Sequence, residues 1–206
     1  RQEKESGFNF LHNPNNGRWL YTTLHHKYIK LFLYINNNSY ICVMRLVEQH
    51  TIKPSSVYYN ELYDLLHKCK NLYNKGLYVV RQHYFQYKDD NTVKYKYPNY
   101  YSLEKKLKTE NDVDYRALPT PVAQQMLIMV DKNFKSFFNL LNKKNRGEYS
   151  EFVRMPGYLN KDGLFPAVFT TIAFSQKWIK QGIVKLPKQF SFTTRTNKQN
   201  IQQLRF

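Results

Sequence analysis

Asp89 with Asp90, and Asp112 with Asp114, are carboxylates spaced closely enough to share a cation. Metal-assisted phosphodiester cleavage asks for more: separated carboxylates converging from strands, so that two divalent ions clamp the attacking and leaving oxygens. Both pairs fall in polar, loop-like stretches and read as solvated surface. Cys42 and Cys69 are the only cysteines. Without CxxC spacing or a paired set of histidines they point to neither a zinc site nor a disulfide framework, a usage that fits an intracellular protein. These residues supply no expected catalytic group and no expected metal ligand.

The 32 Lys and Arg outnumber 15 Asp and Glu, a net charge of +17 over 206 residues. Such a surplus favours a polyanionic partner, because cations that neutralise phosphates release condensed counterions. Lys68, Lys75, Arg81, Lys105, Lys132, Lys135, Arg154 and Lys177 represent this basic surface, although each taken singly is equally readable as a solvated cation. Eighteen Tyr, 14 Phe and 2 Trp lie among the basic residues, a mixture suited to stacking on bases beside phosphates. An AT-rich genome enriches the same residue types, so composition does not decide the cause. A membrane partner is disfavoured: no apolar run reaches the ~20 residues that span a bilayer, and the nearest attempt, at 30–43, is broken by Asn36, Asn37 and Asn38.

The elements that must position these residues follow from periodicity. Residues 1–43 carry no Met and no sustained helical or strand period, and Met44 is the first Met. Translation starting at Met44 would explain this; a disordered basic extension or a targeting segment, given Lys27, Lys30 and the apolar 31–35, are the alternatives. Removal of 1–43 is expected to leave folding intact. Five basic and two acidic residues precede Met44, leaving 27 and 13, or +14, for the remainder. Val47, Thr51 and Ile52 predict a strand at 45–53, stopped by Pro54. Leu62, Leu65, Leu66, Cys69, Leu72, Tyr73, Gly76 and Val80 then form one apolar helical stripe, with Ser55 or Ser56 as cap and Lys68, Lys70, Lys75 and Arg81 largely off it. Residues 87–98 read as a loop. A short helix is expected over 102–108, and a longer one starts at Thr120 and Pro121, buries Val122, Met126, Met129, Val130, Phe137, Phe138 and Leu141, and ends near Asn142. Strands are expected at 165–172, 182–186, 190–194 and 201–206. The order is strand, helices, strands: an α+β fold in which a β-barrel is interrupted by a helical lobe.

Four stretches carry a resemblance: YNELYDLLHKCKNLYNKGLYVVRQ from Tyr59, NYYSLEKKLK from Asn99, DYRALPTPVAQQMLIMVDKNFKSFF from Asp114 and KDGLFPAVFTTIAFSQKWIKQGIVKLPK from Lys161. In this order and spacing, residues 44–206 resemble TnpB (OrfB) proteins of insertion sequences, relatives of type V CRISPR nucleases and historically labelled transposases. The resemblance implies a wedge (WED) β-barrel with its first strand in 44–54, a helical recognition (REC) lobe over 55–150 and the rest of the barrel over 151–206, leading toward a RuvC nuclease domain after Phe206. It implies a guide RNA and a target DNA cut beside a short motif, with Mg2+ serving the RuvC domain, so this chain binds without cutting. It places Gln124 at a position of DNA contact, where an amide can bond an adenine edge bidentately, with Gln125 adjacent. Tyr100 enters the short helix where a ring could pack on a sugar or base, and Thr170 matches a barrel threonine near the same DNA. Relatives often have a Lys just before the glutamines of this helix, where this chain has Thr120 and Pro121, so the resemblance does not carry over the identity of the motif. A stand-alone RNA-binding or ribosome-associated protein would use the same charge and rings. A strand-transferring transposase would need an HUH pair or a helical tyrosine, and neither stands out.

Overall fold

The structure, a computed structural model, describes residues 29–36, 45–90, 96–199 and 201–206. Expectations about Met44 and Cys42 lie outside these residues. Helices supply most of the core. α1 (Tyr59–Asp89) buries Leu62, Leu65, Leu66, Cys69, Leu72, Tyr73, Gly76, Leu77 and Val80, the stripe that its three- and four-residue spacing dictates. A loop, then α2 (Tyr100–Thr109) and α3 (Val113–Arg116), lead to α4 (Thr120–Asn145). α2 buries only Leu103 and Leu107, one turn apart. α4 buries Val122, Met126, Val130, Phe137 and Phe138, together with Phe134.

α1 and α4 run in the same direction. Gly76 lies against Leu127 and Val130, and two turns on Tyr84 meets Phe137 and Phe138, with ring centroids 6.5 and 5.2 Å away. A Cβ at Gly76 would stand 3.1 Å from Val130 Cγ2 and 3.3 Å from Leu127 Cδ2, so the missing side chain sets how closely the two helices approach.

The strands form two antiparallel sheets. β1 (Ile29–Asn36), β2 (Arg45–Ile52), β3 (Val168–Thr170) and β6 (Gln203–Arg205) make a four-stranded sheet in the order β2-β1-β6-β3. After α5 (Gln176–Lys180), β4 (Ile183–Lys185) and β5 (Thr193–Arg195) form a hairpin. The fold is α+β, and among the described residues the sheets do not close into a barrel.

Several local expectations differ from what forms. Ile29–Asn36, placed in a stretch without strand period, is an eight-residue strand paired with β2 along its whole length, from Ile29 opposite Ile52 to Asn36 opposite Arg45, and with β6 on its other side. Its apolar run carries no alternation, so periodicity is silent about it. α1 continues to Asp89 through residues read as loop. Neither Ser55 nor Ser56 is its cap; the cap position is Tyr58, whose N–H donates to Ser56 Oγ at 3.3 Å. In α4 the cap position is Pro119, and Thr120 is already helical. α3 and α5 were not anticipated; α3 is held by Asp112, which accepts from Tyr115 N at 3.1 Å.

Candidate nucleic-acid interface

Glu104 gathers two of the residues that the sequence singled out. It follows Leu103 on α2, so helical geometry sets it beside the buried face, with its side chain 12% exposed. Its Oε1 accepts from Gln124 Nε2 at 2.9 Å and from the Tyr115 hydroxyl at 3.0 Å, and Lys108 Nζ stands 2.8 Å away. Tyr100 is also hydrogen-bonded to this carboxylate. Burial alone would raise the Glu104 pKa, but the contacts from Lys108, Gln124, Tyr100 and Tyr115 together lower it to about 2. Burial, and then Glu104 itself, push Tyr115 up to about 12 and raise Tyr100 as well. Both tyrosines therefore remain protonated donors at neutral pH.

This cluster limits what Gln124 can read. A bidentate bond to adenine uses the amide N–H and the amide oxygen together, and here the nitrogen donates to Glu104. The amide nitrogen carries two N–H donors; Glu104 holds one of them and so sets the orientation in which the other, with the amide oxygen, can meet an adenine edge. Tyr100 is half-buried with its hydroxyl engaged, whereas its neighbour Tyr101 is 75% exposed and offers the open ring at the start of α2. Gln125 is half-buried one position on from Gln124. Thr170 is half-buried on the edge strand β3, opposite Gln203. The structure thus joins Tyr100 and Gln124 through Glu104, and leaves Thr170 on a separate element. Glu104 and Tyr115 were missed by sequence reasoning; the i,i+4 pairing of Glu104 with Lys108 was the available signal.

The eight representative cations divide by what they touch. Lys68 pairs with Asp64 at 2.6 Å and Lys75 with Asp112 at 3.2 Å. Asp112, read as solvated surface, instead caps α3, with its side chain 10% exposed. Lys135 holds Oδ2 of buried Asp131 at 2.6 Å, and that contact raises the lysine's pKa. Lys105, Lys132 and Lys177 are exposed. Arg81 donates to the Pro156 carbonyl at 3.0 Å and lies over the Tyr158 ring, 5.0 Å from its centroid. Arg154 lies 5.6 Å from the centroid of Phe152.

Arg81 belongs to a row of α1 residues that binds a strap over residues 151–165. Leu66, Lys70, Asn74 and Arg81 recur at steps of four, four and seven, on one helical face. The Leu66 carbonyl accepts from Phe165 N at 3.2 Å, and Lys70 donates to the Lys161 carbonyl. Asn74 both donates to the Leu159 carbonyl at 3.0 Å and accepts from Leu159 N at 2.9 Å. Tyr73 stacks on Phe165 with centroids 4.3 Å apart. Lys70, expected off the apolar stripe, is 3% exposed beneath this strap. Besides His67 one turn back, at 3.2 Å, its partner is the Lys161 carbonyl 91 residues away, beyond the reach of local periodicity.

Among the described residues no three His, Cys, Asp or Glu side chains form a group that could hold a metal ion, and no helix is long and apolar enough to cross a membrane. No protein-family model matches the chain, and no curated protein matches it.

Proposed function

We propose that this chain binds nucleic acid as the WED and REC part of a TnpB-like RNA-guided DNA endonuclease, taking guide RNA on its basic surface and target DNA beside a short motif. The observation that carries the reading is how the carboxylates are spent. Glu48 accepts from Thr196, Glu61 from Ser191, Glu104 from Gln124 and Tyr115, and Asp112 from the α3 backbone, while Asp131 is buried against Lys135. Asp112, Glu104 and Asp131 are also paired with Lys75, Lys108 and Lys135, so these carboxylates are committed within the fold and the positive surplus is left to exposed cations such as Lys105, Lys132 and Lys177. The strand–helices–strands order supports a barrel interrupted by a helical lobe. In this reading DNA contact falls to Tyr100, Gln124, Gln125 and Thr170, and the Mg2+-dependent cut to a RuvC domain following the barrel.

The test is the affinity of the full chain for structured RNA across a salt series. Each phosphate neutralised contributes a slope of roughly −0.9 in log K against log salt on a duplex and about −0.7 on a single strand. A slope of several units is expected. Affinity that stays level from low to high salt sinks the proposal.

A further inference from the structure

The strap over 151–165 turns some side chains inward and others outward. Val153, Met155 and Leu159 pack against the core. Phe152, Arg154 and Tyr158 face outward, Phe152 with 74% and Tyr158 with 49% of its surface exposed. Nothing in the core requires rings at these positions: the inward residues and the α1 bonds to Pro156, Leu159 and Lys161 already fix the strap. Each ring is instead attended by cations. Lys144 Nζ and Arg154 Cζ lie 5.7 and 5.6 Å from the Phe152 centroid, and Arg81 Cζ lies 5.0 Å from that of Tyr158. Lys144 is steadied by donating to the Glu151 carbonyl at 3.2 Å, and Arg81 by its bond to Pro156.

We propose that Phe152 and Tyr158, with Lys144, Arg154 and Arg81, form a stacking platform for unpaired bases of a single-stranded RNA segment. The proposal rests on the nucleic-acid reading above and gives that surface a site and a strand state. An exposed ring accepts the face of any base, and a cation beside it meets the adjoining phosphate, a combination that binds single strands with little sequence preference. A duplex keeps its base faces stacked inside and offers these rings nothing. The two rings are six positions apart, at most about 20 Å of extended chain, so one strand can reach both. The platform is anchored to α1 by side chains that are themselves partly or wholly buried, so it is in place before the strand arrives.

The experiment uses the full chain with a short RNA carrying 2-aminopurine at successive positions, in single-stranded form, as the matching duplex, and as a single-stranded DNA of the same sequence. The variants are Phe152→Leu and Tyr158→Leu, alone and combined, which keep an apolar side chain at exposed positions. Wild type should quench 2-aminopurine in the single strand and bind it more tightly than the duplex. The double variant should lose the quench and about tenfold or more in single-strand affinity, with duplex binding and melting temperature unchanged. Equal effects on RNA and DNA single strands would place recognition in the bases; a larger loss on RNA would add a contact to the ribose, and both support a platform. Wild-type affinity and quench in the double variant overturn the platform and leave the basic surface standing. Failure of wild type to bind any of the three strands at low salt overturns both readings.

Discussion

Glu104 shows how a single half-buried carboxylate organises polar groups from three helices. Its pKa is lowered to about 2 from the ordinary value of 4.5, so the sign of its pH effect is fixed. The stabilisation is complete above the unfolded-state value and is lost as pH falls toward the folded one. Replacing Glu104 by Gln keeps the shape and removes the charge. It is expected to cost on the order of 1–3 kcal/mol in urea unfolding at pH 7. The gap between wild type and variant should narrow as pH drops from 5 toward 3. A gap constant over that range would show that the charge contributes nothing. The same substitution weakens the acceptor that occupies Gln124, so the amide becomes easier to turn toward a ligand.

At the scale of elements, the parallel α1–α4 pair depends on Gly76. Leu at this position would drive its side chain into Val130 and Leu127, which already stand 3.1 and 3.3 Å from where a Cβ would be. Overpacking of this kind costs about 1–3 kcal/mol, more than the ~1 kcal/mol regained by replacing Gly inside a helix. The Gly76→Leu variant should therefore melt several degrees below wild type, and an unchanged or higher melting temperature would show that the helices can move apart freely. Because the strap leans on the same helix α1, the variant should also loosen the platform formed by Phe152 and Tyr158.

At the scale of the whole molecule, β1 ties the two ends of the described chain together. It lies between β2 and β6, its Phe32, Leu33 and Tyr34 facing Arg205, Leu204 and Gln203 in register. A chain beginning at Ile29 keeps this strand, while one beginning at Met44 leaves β2 without a pairing partner in the sheet and one edge of β6 open. Thermal unfolding followed by circular dichroism should show wild-type melting for the first and a lower, broader transition for the second. Coincident curves would restore the expectation that residues 1–43 are dispensable.

What the sequence by itself determined is whatever has a period, a punctuation mark or a sign. The apolar stripes of α1 and α4 were legible from three- and four-residue spacing because a helix repeats its face every 3.6 residues. The strands after Pro156 were legible as β-rich runs, though they form shorter than expected: Val168–Thr170 within 165–172, for example. The charge surplus is a sum and needs no fold. Only tertiary structure decided which polar groups meet. Glu104 and Gln124 are 20 residues apart, Asn74 and Leu159 are 85 apart, and β1 closes against β6 across almost the whole described chain. Such contacts carry no local period, because their partners are chosen by the packing of one element on another. The exposure of Phe152 and Tyr158 was hidden for the same reason. An aromatic residue in the strap faces the core or solvent according to which of its neighbours the helix beneath has pinned, and that is set by Lys70, Asn74 and Arg81 on α1.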